Sequence, residues 1–291
     1  MINILISVDS NYLDKAQTML FSLRLSTKEN ITVYLLDYRL STEEKNRLSQ
    51  YLEEKCQMQL AVIDVRETGL DSLPVGRYSI EMYFRILAQF LLPDSLDRVL
   101  WLDADIVLLK SISEFYYQSF DGNKYIVCAE SQGEERWLKD QKRILNLPEE
   151  YIYFNSGVML MNLELLRKST NMHDIVEQCF ILHDKLRCPD QDILNCLYQG
   201  QVKYAEPKKY NYQLTTTTRI PHSDLHGIVV LHYSGYRKPW NYWQITNASK
   251  YYWRIRCQQG EATSALKAYI LKCWEIVVNY WRELKSSCLN R

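Results

Sequence analysis

The chain has 291 residues, 47% of them hydrophobic and 24% charged. These are globular proportions, which exclude a disordered or fibrous chain and allow one large α/β domain or two small ones. Its 35 Lys+Arg balance 35 Asp+Glu, so no overall basic field marks a nucleic-acid binder.

Residues 2–8 form an apolar run that lacks a basic flank and is too short for a signal peptide, which predicts a buried strand. A helix is expected over 13–25, with Leu13, Ala16, Leu20 and Leu23 on its apolar face, then a buried strand over 31–36. Ser41 with Glu44 three residues on is a capping box, opening a helix to about residue 54. A third strand is expected over 58–65. Ser79 is expected to cap a helix reaching about residue 91, where Leu92-Pro93-Asp94 ends it. Residues 98–102 read as a fourth strand, apolar throughout, as in a sheet covered on both faces. Strands alternating with helices predict βαβ units and a mostly parallel sheet.

Beyond this point strands are expected over 125–129 and 154–161, a helix from Leu163, helices over 172–187 and 190–199, and a last strand over 228–231. No repeat or Gly/Ser-rich linker interrupts the chain. The expected organisation is therefore one α/β domain, residues 1–245, with a helical, aromatic and basic extension, 246–291. The eight cysteines show no C-x-x-C pair or zinc-ligand spacing, and with no secretory signal they are expected as free thiols in the cytosol. No apolar run approaches the roughly 20 residues of a membrane span.

Four segments carry candidate chemistry. Asp103-Ala104-Asp105 follows an apolar strand, at the carboxyl end where ligands of open α/β sheets bind. Two carboxylates fixed there suit Mg²⁺ or Mn²⁺, although a turn with two solvated aspartates has the same sequence. His232 leaves a short apolar strand and is followed by Gly235, Arg237 and Lys238. That order offers a further metal ligand and a cation for a phosphate, or else a core histidine beside a solvated basic loop. Asp190-Gln191-Asp192 stands at a helix start, where an Asp is ordinary N-terminal chemistry. Asn155-Ser156-Gly157 stands at the entrance to an apolar strand, where a plain turn is expected.

In this order the segments resemble glycosyltransferase family 8, the retaining GT-A enzymes that include glycogenin and bacterial lipooligosaccharide α-galactosyltransferases. The resemblance is carried by Ser7-x-Asp9-x-Asn11-Tyr12, Tyr83-x-Arg85, Asp103-Ala104-Asp105, Asn155-Ser156-Gly157, Asp190-Gln191-Asp192 and His232-Tyr233-x-Gly235-x-x-Lys238-Pro239-Trp240, across roughly residues 2–245. It implies a GT-A fold, a Rossmann-like nucleotide-diphospho-sugar transferase. It further implies that Asp9, Asn11 and Tyr12 hold a uridine, with Ser7 and Ala104 lending backbone or packing contacts. Asp103, Asp105 and His232 would ligate Mn²⁺ or Mg²⁺, and Gly235 and Lys238 would contact the diphosphate. Arg85, Asn155, Ser156, Asp190 and Gln191 would surround the donor hexose, with Gln191, Asp190 and Arg85 nearest the chemistry. Glu130 and Ser156 depart from the family's usual Asp and small residue.

The implied reaction moves galactose or glucose from a UDP-sugar to a cell-surface glycan, lipooligosaccharide or glycoprotein. Its alternatives are a glycogenin-like self-glucosylating protein and a non-catalytic UDP-sugar-binding subunit. A nucleotidylyltransferase would need a Gly-rich loop after the first strand, and residues 7–12 contain no Gly.

The balanced charge conceals an asymmetry. Residues 240–291 hold eight Lys/Arg against three Glu, a net +5, and five of the seven Trp. Leu266, Ile270, Trp274, Val277, Trp281 and Leu284 follow helical spacing, with Lys267, Lys272, Arg282 and Lys285 elsewhere on the same helix. Such a helix suits the inner face of the cell membrane, packing on its own domain, or a contact between copies of the chain.

Overall fold

A computed structural model of the chain describes residues 1–68, 73, 79–130, 135–214, 220–241 and 246–261, and, further along, 263–264, 266–270, 273–274 and 277–278. Its larger sheet has the order β3-β2-β1-β4-β7-β6-β8. The strands are β1 (Ile2–Ile6), β2 (Ile31–Asp37), β3 (Gln59–Asp64), β4 (Arg98–Leu102), β6 (Tyr125–Ala129), β7 (Phe154–Asn162) and β8 (Val202–Ala205). A smaller sheet has the order β5-β10-β9, from β5 (Ile106–Leu108), β9 (Tyr212–Gln213) and β10 (Val230–His232).

The period-two alternation of a strand divides the core into two layers. Leu100, Leu102, Val158 and Leu160 face the helix Leu13–Ser26, through Leu13, Ala16, Met19, Leu20 and Leu23. Val99, Trp101, Met159 and Met161 face the opposite way, onto Tyr83, Phe84, Leu163, Leu166, Ile193 and Leu194. Both faces being covered is why β1 and β4 read as continuous apolar runs. The Ser41 capping box is present, with Glu44 N–H donating to Ser41 Oγ and Ser41 N–H to Glu44 Oε2.

Two helix expectations are corrected, while the sheet is mostly parallel as expected: it is parallel across β3-β2-β1-β4 and between β6 and β8, and β7 runs antiparallel to both β4 and β6. Eight of the nine β7 residues are buried, and an all-buried apolar run carries no record of its direction. The helix expected over 79–91 is instead a 3₁₀ segment, Ile80–Arg85, followed by a single α turn, Ala88–Leu91. Ile80, Glu81, Tyr83, Phe84 and Arg85 are all buried, so packing on every side replaces the one-faced pattern of a surface helix. The helix expected over 172–187 is α-helical only over Met172–Leu182 and closes with a 3₁₀ turn, His183–Lys185. Strands β5, β8 and β9 went unpredicted, because two to four residues hold too little pattern.

Beyond the sheets, the helix Ser249–Gln258 packs Tyr252 and Ile255 against Leu231 and Tyr233. Leu266, Ile270, Trp274 and Val277 are exposed, by 46–66%, so the described part of the expected apolar stripe is not covered by its own domain. Trp281, Leu284, Lys272, Arg282 and Lys285 lie outside the described residues. Among the described residues, no helix is long and apolar enough to cross a membrane, and the seven described cysteines form no disulfide.

Candidate active site

The site forms where β4 ends. Asp103 N–H donates to Gly157 O (2.9 Å), and Tyr233 N–H donates to Asp105 O (3.0 Å), so the two aspartates are clamped between β7 and the chain leaving β10. Antiparallel pairing of β10 with β5 sets His232 opposite Ile106. His232 Nε2 consequently lies 3.2 Å from Asp105 Oδ1 and 3.9 Å from Asp103 Oδ2. One ligand atom from each of the three residues lies within 4.8 Å of the others.

Two observations fit this cluster to a divalent cation. Asp105 Oδ1 is buried and receives no hydrogen bond, a costly state for a carboxylate oxygen unless a cation faces it. In addition, a Cβ at position 157 would stand 2.3 Å from His232 Cε1 and 2.9 Å from Asp103 Oδ2. Glycine at that point of β7 lets both side chains approach. The pairing of β6 with β7 shifts register between Val127 and Cys128, so residues 155–157 belong to an irregular stretch of strand rather than to the turn expected there.

Around the cluster, the Lys238 ammonium donates to Asp105 Oδ2 (2.5 Å) and to Tyr233 O (2.8 Å). Burial opposes both charges, but each sustains the other: Asp105 ionises well below the usual carboxylate range, and Lys238 holds its proton more firmly than an ordinary lysine. Arg85 pairs with Asp103 Oδ1 (2.9 Å) and Asp190 Oδ2 (3.1 Å), and its guanidinium lies 4.3 Å from the Trp101 ring centroid. It therefore joins the metal-type carboxylates to the start of the helix Pro189–Leu197.

At that helix start the three polar residues divide their tasks. Asp190 Oδ2 accepts from Ser156 Oγ (2.8 Å). Gln191 Oε1 accepts from Asn155 Nδ2 and Ser156 N–H, while Gln191 Nε2 donates to Glu130 Oε2. Asp192 points away from the cavity. It is fully buried and accepts from Tyr153 Oη, Gln141 Nε2 and the N–H groups of Arg187 and Cys188, which is structural capping chemistry.

A cavity of about 510 Å³ collects Ser7, Asp9, Tyr12, Arg85, Asp103, Ala104, Asp105, Asn155, Ser156, Asp190, Gln191, His232 and Lys238. Asn11 and Gly235 do not line it. Asp9 Oδ1 accepts from the N–H groups of Asn11 and Tyr12, which turns the chain into the first helix. Tyr12 meets Trp240 edge-on, with ring centroids 5.9 Å apart. The cavity also takes in Glu81, Trp137 and Ser234, which carried no sequence signal. A separate cavity of about 630 Å³ beside the helix Ser249–Gln258 is lined mainly by apolar groups such as Ile220, Leu225, Tyr251 and Trp253 and holds no pair of carboxylates.

The chain is similar to the lipopolysaccharide 1,2-glucosyltransferase of Escherichia coli (strain K12), at 26% identity over 264 residues, covering 86% of this chain and 76% of that protein. It is similar to the lipopolysaccharide 1,3-galactosyltransferase of Salmonella typhimurium, at 27% identity over 275 residues, covering 91% and 80%. The crystal structure of the galactosyltransferase LgtC with donor and acceptor sugar analogs aligns with a TM-score of 0.74 at 21% identity, covering 88% of this chain and 96% of that one. The GT-A fold is therefore the one this chain adopts. Residues 3–244 match the profile of Glycosyl transferase family 8, and the chain belongs to that family of glycosyltransferases.

Proposed function

We propose that the chain transfers galactose or glucose from a UDP-sugar, with retention of anomeric configuration, to a hydroxyl of a lipopolysaccharide-type glycan on the cytoplasmic side of the cell membrane. The observation that carries this reading is the Asp103–Asp105–His232 cluster with Lys238 against it and a bare, buried Asp105 oxygen facing the gap. The acceptor class rests on the lipopolysaccharide glycosyltransferases among the relatives.

In this reading Asp103, Asp105 and His232 would hold Mn²⁺, which supplies positive charge to a departing diphosphate. Tyr12 and Asp9 receive the uridine at the outer end of the cavity. Lys238, fixed by Asp105 and Tyr233 O, adds a second positive charge to the leaving group and needs little reorganisation to do so. Asn155, Ser156, Asp190, Gln191 and Arg85 orient the hexose. Asp190 Oδ2 is engaged by Ser156 and Arg85, which draws electron density from the carboxylate and weakens it as a covalent nucleophile. Gln191 Oε1 already accepts two hydrogen bonds. That arrangement favours front-face substitution, in which the acceptor hydroxyl enters on the side the phosphate leaves and that phosphate takes its proton.

The test is UDP release from a panel of UDP-sugars with Mn²⁺ or EDTA, for the wild type and Asp105→Ala. Slow release from one donor, lost with EDTA and with the substitution, is the expected result. Absence of both UDP release and Mn²⁺-dependent UDP binding would overturn the proposal. Trapping a covalent glycosyl-enzyme on Asp190 would sink front-face substitution alone.

The exposure of Leu266, Ile270, Trp274 and Val277, on a tail with net charge +5, favours a second contact with an anionic membrane surface. Ile270→Glu with Trp274→Glu in the full chain is expected to abolish sedimentation with anionic vesicles. Undiminished sedimentation would rule that contact out.

A further inference from the structure

A chain of buried amides ends on the ring of His232, and the polarity of every link is set by a group that has only one role. Gly157 N–H can only donate, and it donates to Asn155 Oδ1 (2.9 Å). Glu130 Oε2, as a carboxylate oxygen, accepts from Asn155 Nδ2 (3.1 Å). Asn155 is thereby fixed with its oxygen toward Asn211. Asn211 must present its Nδ2 to that oxygen (2.9 Å), so its Oδ1 is the atom that meets His232 Nδ1, 2.8 Å away. An amide oxygen cannot donate, and His232 Nδ1 must therefore carry the hydrogen.

The backbone holds this geometry in place. Asn211 stands between the short helix Pro207–Tyr210 and β9, and β9 pairs in parallel with β10, with Gln213 opposite His232. Asn211 is fully buried and Asn155 nearly so, so water does not compete for either link.

We propose that Asn211, itself oriented by Asn155, is a positioning residue that sets the His232 tautomer and turns the lone pair of Nε2 toward the divalent cation. The inference rests on reading the Asp103–Asp105–His232 cluster as a cation site. With Nδ1 committed to Asn211, neutral His232 has no hydrogen on Nε2, and Nε2 faces Asp105 Oδ1 across 3.2 Å. Two lone pairs at that separation repel unless a cation or a proton lies between them. Without Asn211 the ring is free to move its hydrogen to Nε2 and donate it to Asp105 Oδ1. That internal hydrogen bond would close the gap in which the cation sits.

The alternation of donors and acceptors has a second result. Gln191 Oε1 accepts from the same Asn155 Nδ2 (3.0 Å), so one amide group orients both a sugar-side residue and, through Asn211, a metal-side residue. The relay makes the two halves of the cavity depend on a single side-chain flip.

Mn²⁺ affinity measured by electron paramagnetic resonance, together with ¹⁵N NMR of the His232 ring in the metal-free chain near pH 8, tests the inference. The wild type is expected to show hydrogen on Nδ1 and a bare Nε2. Asn211→Leu is expected to move the hydrogen to Nε2 and to weaken Mn²⁺ binding by about 10–100-fold, the usual range for loss of such a supporting partner. Asn211→Asp keeps an acceptor toward Nδ1, although it sets a second acceptor against Asn155 Oδ1, and is expected to keep the hydrogen on Nδ1 and to bind Mn²⁺ more tightly than the leucine variant. Hydrogen on Nε2 in the wild type overturns the inference without recourse to any variant, so misfolding of Asn211→Leu cannot rescue it. Unchanged affinity in Asn211→Leu, with binding lost in Asp105→Ala, overturns the relay while the cation site stands. Absence of Mn²⁺ binding in the wild type overturns both.

Discussion

A methyl group on residue 157 would lie 2.3 Å from His232 Cε1, closer than any relaxed contact. The ring has little room to retreat, since it is 2% exposed and its Nδ1, beside Cε1, is held by Asn211. Gly157→Ala is therefore expected to destabilise the fold by about 1–3 kcal/mol, the usual cost of overpacking, and to lower Mn²⁺ affinity at the same time. Urea unfolding and a Mn²⁺ titration check both, and full affinity in a folded alanine variant would contradict the account. The groups gathered around this glycine were legible in the sequence as far as chemistry has a signature. Two aspartates after an apolar strand, a histidine after another and a lysine six residues on all announce themselves. Asn211 does not, because an amide between two tyrosines has no spacing rule, and its importance exists only through β9 lying beside β10.

At the level of elements, the loop that carries Lys238 depends on a helix outside the two sheets. Trp253 Nε1 donates to Pro239 O (2.9 Å), and Tyr233 Oη donates to Ala248 O (2.8 Å). Both bonds tie the loop 233–240 to the region of the helix Ser249–Gln258. Trp253→Phe removes one of them and keeps most of the ring, at a cost of about 1 kcal/mol. Its expected effect is a raised KM for the sugar nucleotide with a smaller change in kcat, because Lys238 is loosened rather than lost. An unchanged KM would show that the helix does not steady the loop. The elements themselves were readable where pattern was long, as in Leu13–Ser26 with its buried stripe. They were not readable where burial on all sides erased the pattern. Arg85 is the instructive case: the 3₁₀ segment that aims it at Asp103 and Asp190 has the composition of a buried helix, and only its packing decides between the two forms.

Over the whole molecule, the two sheets meet at the Asp103–Asp105–His232 cluster, so a cation bound there should stabilise both sheets at once. Mn²⁺ at a hundred times its dissociation constant is expected to add about 2.7 kcal/mol of unfolding free energy. A thermal melt should rise with Mn²⁺ and return with EDTA, and Asp105→Ala should not respond. A melt indifferent to Mn²⁺ in a wild type that binds it would mean that the site is equally formed in the unfolded chain. The attachment of Lys238 to Asp105 bridges 133 positions of sequence, and this separation is also an interval of time. At about 5–20 residues per second of synthesis, the ribosome delivers the carboxylate on the order of ten seconds before its ammonium partner. Throughout that wait Asp105 on the nascent chain must stay hydrated, since its ammonium partner has not yet been made, whereas Arg85, the partner of Asp103, precedes both aspartates in the chain. The interior that later excludes water from Asp105 is sealed only when the last strand arrives, and the newborn protein passes from scaffold to enzyme in that one late step.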